Sequence, residues 1–114
     1  MLIRNIKEFL KLTNNKRLMS LDIGTKKIGL ALSDQKQLIV TPLKTISKNK
    51  LFLPNLIKIV QDFEIGGIII GYPFNQNLKS KSCQMIRDVS KNISNFFFKN
   101  NFDLPIFFWD ESYT

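Results

Sequence analysis

The sequence predicts a single α/β domain with a five-stranded mixed sheet in the order β-β-β-α-β-α-β, with helices packed on the sheet. The first observation behind this prediction is that the hydrophobic periodicity changes from strand-like alternation to helical spacing and back. The second is an uninterrupted apolar run, Ile68, Ile69 and Ile70, which Gly71 and Pro73 close. A strand that is apolar on both faces is typical of the middle of a covered, mostly parallel sheet.

The first half of the chain supplies a helix and three strands. Apolar residues recur at helical spacing over residues 2–12, so we predict a helix there. We treat residues 1–17 as an N-terminal helical extension of a main domain over residues 18–114. Short apolar runs bounded by polar turns predict strands over residues 18–22, 27–33 and 38–46.

The second half of the chain alternates helices with strands. Apolar residues on one helical face between residues 53 and 63 predict an amphipathic helix, which we expect Gly66 and Gly67 to stop. The isoleucine run over residues 68–70 predicts the fourth strand. A second amphipathic helix over residues 82–99 and a last strand over residues 105–109 complete the order.

This order brings distant residues together at one edge of the sheet. Two right-handed crossovers make the strands over residues 18–22, 68–70 and 105–109 parallel. Asp22, Gly71 and Asp110 stand where these strands end. Because ligands of open α/β folds bind at the carboxyl ends of parallel strands, we expect a functional site at this edge.

The composition excludes several classes of function. The chain of 114 residues has 17 Lys+Arg, 9 Asp+Glu and no histidine, which excludes Ser-His-Asp and Cys-His catalysis and histidine metal ligands. Its single cysteine, Cys83, cannot form an internal disulfide, which fits a reducing cytosol. We find no secretory signal and no apolar stretch that would span a membrane. The net charge of +8 fits a nucleic-acid footprint or a solvated basic surface equally well.

The segment after the first strand of the predicted hairpin is the first candidate for chemistry. Asp22 offers the hard oxygen ligands that Mg²⁺ or Mn²⁺ prefers, and Gly24 and Thr25 leave backbone space for a phosphate. Lys26 and Lys27 could neutralise that phosphate. The alternative is a plain hairpin turn that Asp22 caps, with a positive φ at Gly24, and spacing alone favours this alternative slightly.

Two further segments add polar groups at the same edge. Asp110 and Glu111 follow the last strand and, together with Asp22, could hold two divalent cations, although a solvated end of the strand explains them as well. Gly71 and Asn75 could shape a loop beside the acids, with Asn75 donating to a phosphate. An ordinary exit from the strand is the alternative for this loop.

Taken together, these segments resemble a known family. Residues 21–34 (LDIGTKKIGLALSD) resemble the opening motif of the YqgF/RuvX family, and three later blocks follow in the family's order. The resemblance implies an RNase H-like fold and a cytoplasmic nuclease linked to maturation of the 5′ end of small-subunit (16S) ribosomal RNA. It also implies similarity to Holliday junction resolvases. The later blocks are residues 41–46 (TPLKTI), 69–73 (IIGYP) and 109–114 (WDESYT).

The resemblance also implies roles for individual residues. Asp22 and Glu111 match the metal-binding catalytic acids of the family, with Asp110 as a helper, and the implied cofactor is Mg²⁺ or Mn²⁺. The expected partners are structured RNA, in particular precursor ribosomal RNA, or branched DNA, and the expected state is a monomer or homodimer without a membrane. The family continues past the position of Thr114 through further helices that carry a late Asp, so we expect the chain to lack these final helices.

Three hypotheses from different classes remain open at this point. The first is a hydrolase, a metal-dependent nuclease of structured RNA or a resolvase-like nuclease of DNA. The second is a non-catalytic RNA-binding module with the same fold. The third is an ATP-binding relative of the actin and sugar-kinase group, whose phosphate loop also opens with Asp-x-Gly-Thr. That group needs two such domains, so a chain of 114 residues argues against it.

Overall fold

A computed structural model describes residues 2–73 and 80–110 and shows a six-stranded mixed sheet in the order β1-β6-β5-β2-β3-β4. β1, β6, β5 and β2 run parallel to one another, whereas β3 is antiparallel to both β2 and β4. The predicted α/β class is confirmed, with one strand more than expected. The elements are β1 (Leu2–Ile3), α1 (Ile6–Leu12), β2 (Arg17–Ile23), β3 (Lys27–Ser33), β4 (Val40–Ser47), α2 (Phe52–Asp62), β5 (Ile65–Tyr72), α3 (Lys81–Lys99) and β6 (Ile106–Asp110).

The two faces of the sheet have different surroundings. Met19, Leu21 and Ile23 of β2 lie in the main hydrophobic core, which also contains the apolar faces of α2 and α3. Leu18 points to the other face, where it packs in a small cluster with Ile3 and with Phe9 of α1. Because side chains alternate along a strand, Ser20 and Asp22 share the face of Leu18, which α1 covers only in part. The site described below lies on this second face.

The isoleucine run forms the central strand that the sequence predicts. β5 lies between β2 and β6 and is parallel to both. Ile68 and Ile70 are fully buried in the main core, and Ile69 packs against the small cluster on the other face. The expectation of three parallel strands with a common carboxyl edge is therefore confirmed.

The N-terminal segment differs from the predicted continuous helix over residues 2–12. Leu2 and Ile3 form an edge strand parallel to β6, and the helix begins only at Ile6. The side chain of Asn5 accepts hydrogen bonds from the backbone N–H groups of Lys7 at 2.8 Å and Glu8 at 3.2 Å, which fixes the start of α1. The sixth strand of the sheet therefore comes from the segment that we separate as an extension, and the boundary at residue 17 stays a prediction.

Gly66 and Gly67 do not stop α2, contrary to the prediction. α2 ends at Asp62, and the chain turns at Glu64, whose φ is 52°. Both glycines lie inside β5, where a Cβ on Gly67 would stand 2.6 Å from Cγ2 of Thr13 and 3.1 Å from Cζ of Phe9. Gly67 therefore lets α1 approach the sheet closely.

In residues 2–73 and 80–110, no helix has the length and apolar character needed to cross a bilayer.

Candidate functional site

Asp22 lies near the carboxyl end of β2, and its side chain is exposed. Its partner on β3 is Gly29, and the pairing of Leu21 with Ile70 places Gly71 of β5 on its other side. A Cβ on Gly29 would stand 3.7 Å from Cβ of Asp22, which is ordinary contact distance. The carboxylate therefore stands between two positions without side chains, and this leaves room for a cation or a phosphate to approach it.

A shallow depression of about 520 Å³ surrounds Asp22 and extends across five strands. Of the described residues that line it, Asp22 alone is acidic, and Lys44 alone is basic. The floor is formed largely by small residues, so the sheet backbone is accessible there. The lining residues are Ser20, Leu21, Asp22, Gly29, Leu30, Ala31, Pro42, Leu43, Lys44, Thr45, Ile69, Gly71 and Trp109.

The turn between β2 and β3 carries Gly24, Thr25 and Lys26 next to this depression. The Gly24 N–H donates to the carbonyl oxygen of Lys27 at 2.9 Å, and a Cβ on Gly24 would stand 2.9 Å from that oxygen. Glycine is therefore required here for close approach. The positive φ that the plain-turn alternative assigns to Gly24 is not observed, since none of the described glycines has one. The side chains of Thr25, Lys26 and Lys27 are exposed.

Lys48, which the sequence analysis does not single out, secures this turn from the end of β4. Its Nζ donates to the carbonyl oxygen of Gly24 at 3.3 Å, and its backbone N–H donates to the carbonyl oxygen of Lys26 at 2.9 Å. The pairing of Lys27 with Ser47 brings these segments together. Three lysines thus belong to one end of the sheet beside Asp22, which favours an anionic ligand there.

Asp110 ends β6 opposite Tyr72, so it reaches the same edge as Asp22. The alternation along β6, however, places Asp110 with Phe108 on the α3 side of the sheet, where its partner Tyr72 lies in the main core. The Arg87 guanidinium donates to the Tyr72 hydroxyl at 2.5 Å. The structure therefore brings Asp22 and Gly71 together and places Asp110 on the other face.

Two other predicted site residues, Glu111 and Asn75, lie outside the described residues. Within the described part of the chain, no group of three or more Cys, Asp or Glu side chains is arranged to hold a metal ion. Trp109 is the second site residue that sequence reasoning missed. The sequence does contain a signal for Trp109: side chains alternate along a strand, so Trp109 lies on the opposite face from its neighbour Asp110.

A family model described as "RuvX: Holliday junction resolvase" matches residues 16–114. The chain belongs to the RuvX family. A relative from Pelagibacter ubique, named "Putative pre-16S rRNA nuclease", is 41% identical over an alignment of 105 positions that covers 90% of this chain and 66% of the relative. A relative of the same name from Rickettsia typhi is 33% identical over an alignment of 118 positions that covers 100% of this chain and 72% of the relative.

Solved structures agree with the fold of this RuvX-family chain. RuvC of T. thermophilus in complex with a Holliday junction substrate superposes with a TM-score of 0.62 over 85% of this chain and 66% of that chain, at 8% identity. A second T. thermophilus RuvC structure gives a TM-score of 0.57. These structures confirm the RNase H-like fold, and the family model and the relatives' names confirm the membership in a nuclease family. The chain spans about two thirds of the length of the Pelagibacter relative.

Proposed function

We propose that this RuvX-family chain is a metal-dependent nuclease that hydrolyses phosphodiester bonds during 5′-end maturation of the 16S ribosomal RNA precursor in the cytoplasm. One observation carries the chemistry: the exposed Asp22 carboxylate stands between Gly29 and Gly71 at the carboxyl edge of the sheet, beside a lysine-rich turn. The names of the Pelagibacter and Rickettsia relatives support the choice of RNA.

The donor groups fit Mg²⁺ or Mn²⁺. Mg²⁺ binds through one or two carboxylates plus substrate phosphate oxygens, and Asp22 supplies one exposed carboxylate with open space beside it. When bound, such an ion activates water and stabilises the leaving oxygen. We propose Glu111 as the second carboxylate, because residues 109–114 (WDESYT) resemble the block that carries the second catalytic acid of the family.

The other residues of the site would bind and orient the substrate. We propose that the backbone of Gly24 and the side chains of Thr25, Lys26 and Lys27 bind a phosphate. Lys48 would hold their turn in place through its bond to the Gly24 carbonyl oxygen. Gly71 would leave room for the strand, Asn75 would donate to a phosphate, and Asp110 would assist only indirectly, from the opposite face of the sheet.

A cleavage assay tests this proposal. Precursor 16S ribosomal RNA is incubated with the chain in Mg²⁺ or Mn²⁺, and the rate is compared with that of Asp22→Asn. Loss of a direct metal ligand should slow cleavage by at least about 100-fold, more than the loss of a group that only orients a ligand. Asp88→Asn, an exposed acid of α3 away from the depression, is the matched control and should cut at the wild-type rate. If Asp22→Asn cuts as fast as the wild type, the assignment is wrong.

Two observations favour alternatives that the same assay distinguishes. The family description and the RuvC likeness favour a branched DNA substrate, so a four-way junction is tested beside the RNA. The lack of a three-carboxylate cluster among the described residues favours a non-catalytic RNA-binding module. That module would bind RNA in a salt-sensitive manner without cutting it.

A further inference from the structure

A large aromatic side chain shares the depression with Asp22. Trp109 lies in β6 beyond the two residues that pair with β1, and the residue is 44% exposed. Its neighbour on the same face, Phe107, packs instead against Phe9 of α1, with ring centroids 5.5 Å apart. α1 therefore covers the face as far as Phe107 and leaves the indole of Trp109 accessible.

Trp109 and Asp22 lie in one row across the sheet. Trp109 pairs with Gly71, and Gly71 is the neighbour of Asp22 on the adjacent strand. Two strand spacings separate the Cα atoms of Trp109 and Asp22, which is about 10 Å. Since Gly71 between them has no side chain, an open space above the backbone of Gly71 separates the indole from the carboxylate.

The charges along this row favour a nucleic-acid strand. Lys27 of β3 is exposed and, by alternation, lies on the same face as Gly29 and Asp22, and the chain carries a net charge of +8. A strand that crosses the sheet from β6 to β3 would meet, in order, an aromatic face, a carboxylate able to hold a cation, and an amine. This order suits a base followed by phosphates, because bases stack on aromatic rings and phosphates bind cations.

We propose that Trp109 is a stacking platform for one unpaired base, which positions the neighbouring phosphate at Asp22. A base inside a duplex has its faces covered by its neighbours, so only an unpaired or frayed base can stack on the indole. The role of the phosphate at Asp22 rests on the proposed nuclease function, whereas the stacking itself does not. The substrate class is thus a nucleic acid that is single-stranded at the site of cleavage.

The chain offers a direct probe, because Trp109 is its single tryptophan. The wild-type chain is titrated in EDTA, which prevents cleavage, with three ligands: a single-stranded oligonucleotide, its blunt duplex and the same strand with abasic sites. Stacking predicts strong quenching of tryptophan fluorescence by the single strand and little by the other two. Equal quenching by all three, or none by any, would overturn the proposal, and this result needs no variant to fold.

A variant series measures the contribution of the ring. Trp109→Ala should weaken binding of the labelled single strand by about 5-fold to 150-fold in fluorescence anisotropy, as expected for the loss of one base–aromatic stack. Trp109→Tyr should restore most of the affinity. Phe98→Ala is the matched control, because Phe98 is 80% exposed on α3 and should leave binding unchanged. Unchanged binding by Trp109→Ala would refute the platform.

The two proposals fail in different ways. If Asp22→Asn abolishes cleavage but Trp109→Ala binds like the wild type, the nuclease stands and the stacking platform is wrong. If no substrate is cut but the single strand still quenches Trp109, the platform stands and the nuclease is wrong.

Discussion

Gly67→Ala should loosen the contact between α1 and the sheet. The added Cβ would stand 2.6 Å from Cγ2 of Thr13, 3.0 Å from Cδ2 of Leu18 and 3.1 Å from Cζ of Phe9. Carbon atoms at optimal separation are about 3.5–4.0 Å apart, so the overlap with Thr13 is about 1 Å. Both Thr13 and Phe9 are fully buried and have little space into which to move.

The expected net cost follows from two opposing effects. Overpacking a well-packed site costs about 1–3 kcal/mol. The smaller conformational entropy of unfolded alanine returns about 0.4–1 kcal/mol. The free energy of unfolding should therefore fall by about 1–2 kcal/mol, as measured by urea unfolding followed through Trp109 fluorescence.

A second substitution tests whether Thr13 is the cause. Thr13→Ser removes Cγ2 and keeps the hydroxyl, which donates to the carbonyl oxygen of Phe9 at 2.9 Å. The double variant with Gly67→Ala should lose less stability than the sum of the losses of the two single variants, by at least about 0.5 kcal/mol. Strict additivity, or a Gly67→Ala variant as stable as the wild type, would refute the account of why this position is glycine.

Three further predictions concern the site and the turns. Gly29→Val should keep or slightly raise the free energy of unfolding, because a Cβ there would stand 3.7 Å from Cβ of Asp22, an ordinary contact distance. The rate of cleavage should fall at least about 10-fold, because the branched side chain crowds the Asp22 carboxylate. A variant that loses stability together with activity would contradict this prediction. Lys26→Met should weaken RNA binding and reduce the slope of log K against log salt by about 0.7–0.9, measured by anisotropy, because its exposed amine is proposed to contact one phosphate; an unchanged slope would contradict this contact. Backbone N–H groups, that of Ile39 first, hold the pKa of Asp34 below its ordinary value of 3.8. The stability gained from this carboxylate is fully present above its ordinary pKa and is lost as the pH falls through the lowered pKa of the folded state. Between pH 6 and pH 3, the free energy of unfolding measured in urea should therefore fall less for Asp34→Asn than for the wild type.

Local patterns predict much of this fold. The isoleucine run, the two amphipathic helices and the first hairpin are all set by periodicity and turn residues within short stretches, and each is present in the structure. The edge strand at Leu2 and Ile3 could not be predicted in this way, because its partners are Ile106 and Phe107 at the other end of the chain. Its residues also fit the helical spacing that follows them.

The glycine pair shows a second limit of local patterns. A glycine that ends a helix and a glycine that lies beneath one look the same in sequence, and the packing of Phe9 and Thr13 decides between them at Gly67. The same limit applies to the candidate site, where one contact could be predicted from the sequence and another could not. Parallel-strand topology predicts that Asp22 and Gly71 meet, whereas the tie from Lys48 to Gly24 depends on how β4 runs past the turn.

The pairing of Ile3 with Phe107 has a consequence for biosynthesis. The ribosome makes Phe107 roughly a hundred residues after Ile3, so the edge strand has to wait for most of the chain before it finds its partner. During that interval Phe9 lacks its contact with the ring of Phe107, and the nascent chain exposes an apolar surface to which chaperones can bind. Contacts between such distant segments also slow refolding, so we expect the outer edge to be the last part of the sheet to form.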